Sequence, residues 1–458
     1  MSINDLNKKT VLILGAGKTG IASADFLTGK AGKVLLSETK KESSELKEQI
    51  SELRGKGVEF EFGQNSDHFI KQCDLAIISP GISPQSELVQ RLCSLNKPII
   101  SDIELAANFI SKPIIGITGT NGKTTTTSLI SHLINNSGKK AIACGNIGKP
   151  LIELINSENN FDYYVLEVSS FQIYYSPSLS CDIAVCLNIT PDHLDWHGSM
   201  EHYIRTKEKL FLQQKTNSWS ILNYSDKELR KFDVKNNRFF FASNKLEKEA
   251  LSLSSGIAYL DDDFLISHEK NQSVKIINKN DLKIFGTHNL ENALASIAVM
   301  RILKTNPENI SSGLSSFTGV EHRLEYIKCI NKKEFYNDSK ATNPEATIKA
   351  IEAFNGKKIT LILGGKDKNT SLAEMIKAIK QRVNEVILFG EAKERFHKEL
   401  TNGSFKEVKI VNNLSEIVSL SLKSNTDIVL FSPACASFDM FKNYEDRGKQ
   451  FKELVSKY

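Results

Sequence analysis

Three short apolar runs, each ending in glycine, constrain this chain most: Val11-Leu12-Ile13-Leu14-Gly15, Ile114-Ile115-Gly116-Ile117 leading to Gly119 and Gly122, and Ile359-Thr360-Leu361-Ile362-Leu363-Gly364. Uninterrupted apolar runs of this length suit strands covered on both faces, as in parallel sheets flanked by helices. Alternating strand and helix patterns follow each run. The predicted fold is therefore α/β, with three tandem domains. These are a Rossmann-like N-terminal domain (1–101), a central P-loop domain on a parallel sheet (102–319) and a C-terminal Rossmann-like α/β domain (320–458). A chain of 458 residues has room for about three domains of ordinary size.

The second run leads into Thr118-Gly119-Thr120-Asn121-Gly122-Lys123-Thr124-Thr125 and then an amphipathic helix stopping near Gly138. Strand, glycine turn, Lys-Thr and helix in that order cradle nucleotide phosphates. Backbone N–H groups face the anion, the lysine reaches the terminal phosphates, and a threonine hydroxyl can hold Mg²⁺. The loop is a compact variant, because Ile117 stands where the usual pattern has its first glycine.

The first run continues as Gly15-Ala16-Gly17-Lys18-Thr19-Gly20, and the next strand ends Ser37-Glu38. This glycine fingerprint with a following acid is read either as NAD binding or as a seat for another diphosphate. A second phosphate loop downstream counts against a dehydrogenase. The turn Ser79-Pro80-Gly81-Ile82 either lines the same crevice or is an ordinary turn.

In the middle of the chain, Tyr163 to Glu167 reads as a strand ending in an acid, where a phosphate loop needs a Mg²⁺ ligand. Asn188 to His197 contains Asp192-His193-Leu194-Asp195-Trp196-His197, which either contacts metal or substrate or forms a hydrogen-bonded loop. Asn289 and Asn292 share a helix face and either meet a base or cap the helix.

Composition limits the alternatives. The net charge of +5 comes from interleaved signs and does not argue for nucleic acid or membrane binding. The seven cysteines are scattered without a Cys-x-x-Cys, which fits thiols in a reducing cytoplasm rather than disulfides or zinc. The first residues lack the apolar core of a signal peptide, and no apolar run approaches the ~20 residues of a membrane span. A cytoplasmic protein is expected.

Together these strings resemble the Mur ligases, the ATP-dependent amide-forming enzymes of peptidoglycan precursor synthesis. Thr118 to Thr125 is similar to that superfamily's phosphate loop, shared with folylpolyglutamate synthetase. Asp192-His193-Leu194-Asp195-x-His197 and His288-Asn289-x-x-Asn292-Ala293 follow the same pattern. Tyr336 to Pro344 and Ser432 to Gly448 are similar to the branch that adds D-glutamate, and the resemblance runs from Val11 to Phe451.

The resemblance implies a reaction in which the terminal carboxylate of UDP-N-acetylmuramoyl-L-alanine attacks the γ-phosphate of ATP. The resulting acyl phosphate then takes the amine of D-glutamate. It implies ATP contacts from Gly119, Thr120, Asn121, Gly122, Lys123, Thr124 and Thr125. Asn289 and Asn292 would lie on adenine, and Arg323, Asp338 and Lys340 on ribose and phosphates. Two Mg²⁺ would be held by Thr124 and Glu167 and by His193 and Lys207. Lys207 is similar to the lysine this family carbamylates, although from the residues alone it reads as an exposed helical lysine. Lys123, His193, Lys207 and Asn146 are the expected catalytic set.

Asn146, Ser169 and Gln172, with Lys18, Thr19, Ser37, Glu38, Ser79 and Gly81, would meet the UDP substrate. Thr342, Lys368, Ser437, Phe438 and Tyr444 would surround D-glutamate, with Lys366 as the alternative to Lys368. The expected partners are small molecules acting on a monomer. A folylpolyglutamate-type ligase is the alternative function.

Overall fold

The computed structural model describes residues 3–42, 46–155, 160–244, 248–284, 286–354, 356–368 and 370–458. Asn369, at the end of the Lys366-Asp367-Lys368 string, lies outside them. The architecture is α/β with three sheets. The chain forms two compact units, one of residues 1–282 and 287–315 and the other of residues 283–286 and 316–458.

The larger unit holds two sheets. In the first, β1 (Thr10–Leu14), β2 (Lys33–Glu38), β3 (Glu59–Phe62), β4 (Leu75–Ile78) and β5 (Ile99–Ser101) lie parallel in the order β3-β2-β1-β4-β5. The order reverses between β1 and β4, which opens a crevice at their carboxyl ends. The second contains β6 (Ile114–Thr118), β7 (Ala141–Gly145), β8 (Tyr163–Glu167), β9 (Ile183–Cys186), β10 (Trp219–Asn223), β11 (Asn237–Ala242), β12 (Gly256–Asp261), β13 (Phe264–Glu269) and β14 (Gln272–Asn278). Its order is β14-β13-β12-β11-β10-β9-β6-β8-β7, and only β13, next to the edge strand β14, runs against the rest.

The expected buried runs are borne out, since every residue of β6 and β9 is buried. Register aligns the ends that matter. Ile117 pairs with Glu167, Gly145 with Glu167 and Thr118 with Cys186. The residues that follow β6, β7, β8 and β9 therefore emerge along one edge.

The two sheets of this unit are joined by direct packing. Leu12, Leu14 and Ile78 of the first share a core with Tyr175 and Trp196 from the second. Ser101 N–H donates to Tyr175 O (2.8 Å), and the Ser101 and Ser176 hydroxyls lie 2.7 Å apart.

The smaller unit is built on β15 (Glu325–Ile330), β16 (Lys333–Asn337), β17 (Ile359–Gly364), β18 (Glu385–Phe389), β19 (Val408–Ile410) and β20 (Ile428–Ala434). Their order is β15-β16-β20-β17-β18-β19, and only β15 runs antiparallel. The last strand inserts between β16 and β17, so the loops after these three strands share one edge. All seven cysteines are free, five of them buried and Cys93 and Cys329 exposed. Among the described residues no helix is long and apolar enough to cross a membrane.

Candidate active site

The phosphate loop joins β6 to the helix Lys123–Asn136. Gly122 adopts φ +84°, a conformation that favours glycine, and a Cβ there would press on Asn292 Oδ1. The loop is pinned from the β9 side. Thr120 N–H donates to Asn188 O (2.9 Å), Asn121 N–H donates to Asn188 Oδ1 (2.8 Å), and the Thr120 hydroxyl donates to Thr190 O (3.1 Å). Asn188 and Thr190 were not singled out from sequence, although both lie in the Asn188–His197 string.

Two lysines converge on this loop. Lys123 Nζ donates to Gly119 O (2.9 Å) and Thr120 O (2.8 Å), and Lys207 Nζ donates to the same Gly119 O (3.1 Å). Lys207 lies on the helix Met200–Leu212 but is only 1% exposed, so the exposed reading of this residue is overturned. Burial draws its ammonium from the usual 10.5 down to about 7, and the positive charge of Lys123 acts in the same direction. A lysine so placed is substantially uncharged near neutral pH, which makes it a nucleophile.

Beside them, Glu167 ends β8 at 2% exposure. Its Oε1 accepts from Asn146 Nδ2 (2.8 Å), whereas Oε2 is buried with no protein partner. A buried, unsatisfied carboxylate oxygen needs a cation or donor. Ser169 and Gln172 form a capping box at the next helix, with Gln172 Oε1 accepting the Ser169 N–H at 3.1 Å.

His193 stands at φ +52° with a half-exposed side chain. Its ring packs 4.7 Å from that of Phe171, and Nε2 lies 3.5 Å from Asp192 Oδ2. His197, by contrast, is buried. Its Nε2 lies 2.9 Å from Ser170 Oγ and its Nδ1 3.1 Å from His202 Nδ1, and burial, then His202, push its pKa down to about 4. It is a neutral strut at pH 7. Asn292 is also buried, accepting from Thr126 Oγ1 (3.1 Å) and donating to Asn289 Oδ1 (3.0 Å), which ties its helix to the loop helix.

In the first sheet, the crevice side carries Lys18, exposed, and Thr19, half-buried, at the start of the helix after Gly17. A Cβ on Gly15 would touch Ser79 Cβ at 3.0 Å, so the two predicted turns adjoin, with Gly81 exposed nearby. Glu38 accepts the N–H groups of Ala16 and Lys40 (2.9 Å each). Burial opposes ionisation of Glu38, but these donors hold its carboxyl below its usual value. Ser37 is turned inward, with its hydroxyl 2.7 Å from both Glu61 Oε1 and Asn65 Oδ1.

The smaller unit gathers the remaining residues at the carboxyl ends of β16, β17 and β20. Lys368 Nζ donates to Thr342 O (3.0 Å), while Lys366 is exposed and bridges through its backbone to Ala436. Ser437 is buried, Phe438 is 67% exposed and Tyr444 is half-buried. Asp338 is buried with both oxygens engaged, by Ser432 Oγ (2.6 Å) and Leu324 N–H (3.1 Å), and desolvation pushes it up to about 7. Arg323 is exposed and Lys340 half-buried. Glu321, His322 and Glu325 sit together as potential metal ligands, but Lys452 Nζ donates to both glutamates and offsets one of their two charges.

Comparison with known proteins matches this arrangement segment by segment. Residues 9–101 match the MurD-like N-terminal domain of Mur ligases, 117–300 the Mur ligase middle domain and 322–435 the glutamate ligase domain. The chain is 38% identical over 465 residues to the UDP-N-acetylmuramoylalanine–D-glutamate ligase of Caldanaerobacter subterraneus, covering 98% of this chain and 99% of that protein. It is also 38% identical over 456 residues to the protein of the same name from Koribacter versatilis, covering 99% and 98%. In fold it is similar to the UDP-N-acetylmuramate–alanine ligase of Thermotoga maritima (TM-score 0.56, 20% identity, 98% and 99% covered). It is similar too to the MurF ligase of that organism in complex with ADP (TM-score 0.55, 18% identity, 93% and 95% covered). With the glycine loop, its pinning strand and the strand-end acid matched along their whole length, the chain belongs to the Mur ligase family.

Proposed function

We propose that this protein is an ATP-dependent ligase that adds D-glutamate to UDP-N-acetylmuramoyl-L-alanine, a step of peptidoglycan precursor synthesis. The observation that carries the reading is the likeness along nearly the whole chain to proteins named for that activity. The folylpolyglutamate alternative makes no use of the first sheet, whose residues 9–101 match the MurD-like N-terminal domain.

The chemistry asks for parts that the larger unit contains. A carboxylate and a triphosphate repel one another, so cations must gather where they meet. The loop amides from Gly119 to Thr125 cradle the phosphates, and Lys123 leaves Gly119 O and Thr120 O to reach them. Attack of the alanyl carboxylate oxygen on the γ-phosphorus gives an acyl phosphate and ADP. The amine of D-glutamate then attacks the acyl carbon, and phosphate leaves from the tetrahedral intermediate. Asn146, Ser169 and Gln172 orient the muramoyl substrate at this centre.

The orphaned Glu167 Oε2, beside the loop that carries Thr124, fits a hard divalent cation. Glu167 and Thr124 would hold one Mg²⁺, and His193 and Lys207 would lie at a second. When bound, such ions neutralise charge on the phosphates. A bare Lys207 ammonium would oppose the second ion. Its lowered pKa supports reaction of the neutral amine with CO₂, giving a carbamate of the opposite sign.

Asn289 and Asn292 are assigned to the adenine side, and Arg323 and Lys340 to ribose and phosphates; Asp338, expected beside them, is buried with both oxygens taken by Ser432 and Leu324 and so braces the loop that carries Lys340. Lys368, Thr342, Ser437, Phe438 and Tyr444 are assigned to D-glutamate, with Lys368 preferred to Lys366 because its ammonium already reaches the Thr342 loop. Lys18, Thr19, Glu38, Ser79 and Gly81 line the seat for uridine and diphosphate, and Ser37 braces it from behind. We assign the three functional segments to 1–101, 102–319 and 320–458, and read the protein as a cytoplasmic monomer. Phosphate release from ATP and Mg²⁺ with UDP-N-acetylmuramoyl-L-alanine and a panel of amino acids tests the activity. Release with D-glutamate is expected, and its absence refutes the reading.

A further inference from the structure

Arg447, on the helix Tyr444–Ser456, has no exposed surface. Among the described residues, every hydrogen bond of its guanidinium goes to an uncharged oxygen. Nε donates to Ser339 Oγ (2.9 Å), Nη2 to Ser339 O (2.7 Å), and Nη1 to Cys435 O (3.0 Å) and Ala436 O (3.2 Å). A fully buried cation without a bonded carboxylate is costly. Here the acceptors belong to two loops, one after β16 and one after β20. The loop after β17 is locked to the same point. Gly365 has φ +131°, a Cβ there would lie 3.0 Å from Arg447 Nη1, and Lys366 N–H donates to Ala436 O (2.8 Å). These three loops carry Thr342, Lys368 and Ser437. Lysine has one nitrogen on a flexible stem and cannot hold the two loops as the planar fork does.

We propose that Arg447 is a positioning residue for the amino-acid substrate, setting the spacing between the Thr342–Lys368 pair and Ser437. This rests on the assignment of those residues to D-glutamate made above. The guanidinium does not touch the substrate; it holds three strand-end loops at one separation, and a dicarboxylic amino acid is measured against that separation.

Steady-state kinetics on the full chain tests the inference. In Arg447→Lys, the KM for D-glutamate should rise ~10- to 100-fold, as expected when charge-assisted hydrogen bonds are lost. The KM for the UDP substrate, whose assigned contacts lie in the larger unit, should move by no more than about twofold; ATP is no control, because Lys340, assigned to it, follows Ser339 directly in the chain. Ser339→Ala removes one acceptor, together with the hydroxyl's own donation to Tyr444 O (2.8 Å), and leaves the arginine in place, so it should give a smaller rise in the same constant. It serves as the readout if Arg447→Lys proves unfolded by circular dichroism. An unchanged KM for D-glutamate in a folded variant, or an equal rise in the KM for the UDP substrate, overturns the proposal. Wild-type protein that releases no phosphate with D-glutamate instead refutes the underlying function, so the two failures are distinguishable.

Discussion

Lys207 offers the sharpest test of how the larger unit is built, because its burial has a calculable consequence. In the folded chain its ammonium titrates at about 7 instead of 10.5. Between those values the unfolded chain holds a proton that the folded chain has released, so stability must rise with pH across that window and be indifferent to this group below it. At pH 7 the group withholds ~4 kcal/mol of stability, and by pH 9 about half of that is recovered. Replacing Lys207 by methionine, of similar volume and uncharged, removes the effect. Both tryptophans, Trp196 and Trp219, belong to the unit that contains Lys207, so their fluorescence follows its unfolding in urea. In buffer depleted of CO₂, Lys207→Met should be more stable than wild type by several kcal/mol at pH 7, and the gap should narrow by ~2 kcal/mol at pH 9. Ligase activity should be lost at both values. A variant no more stable than wild type at pH 7, or a gap that stays constant with pH, would refute the argument. Isotope-labelled bicarbonate adds a second readout: a carbamate resonance is expected in wild type and not in the variant.

Four further outcomes are expected. Gly122→Ala forces a strained φ and a clash with Asn292, at a cost of ~1–3 kcal/mol, so ATP affinity measured by calorimetry should fall at least about tenfold. Glu167→Gln keeps an oxygen for Asn146 but loses the charge for a divalent cation; Mg²⁺ should no longer increase the thermal stabilisation that ATP gives. Lys368→Met should raise the KM for D-glutamate while Lys366→Met leaves it unchanged, and the reverse result would reassign the role. Asp338, pushed by burial from 3.8 to about 7, favours folding in its neutral form, so its contribution to stability should fall as pH rises from about 4 to 7. Asp338→Asn should flatten that decline in urea titrations.

The strands that carry the site were legible because continuous apolar runs leave little alternative to a doubly covered sheet, and β6 and β9 are buried at every position. Glu167 was legible for the same reason: an acid closing such a strand must emerge at its carboxyl edge, where the glycine loop of β6 also emerges. What stayed hidden depends on which helical face is covered. From its neighbours Lys207 looks like a surface residue, and only the packing of its helix against the phosphate loop sends its amine to Gly119 O. Arg447 was hidden by distance, since its partner Ser339 is 108 residues away in the chain. Local pattern encodes where backbone groups end up; it does not encode which distant carbonyls a buried cation will satisfy, because that is settled only when three strand-end loops arrive together. The same logic explains Ser37, which was expected to face uridine by its position at a strand end. Its hydroxyl is drawn inward because Glu61 and Asn65, more than twenty residues on, offer it acceptors at 2.7 Å.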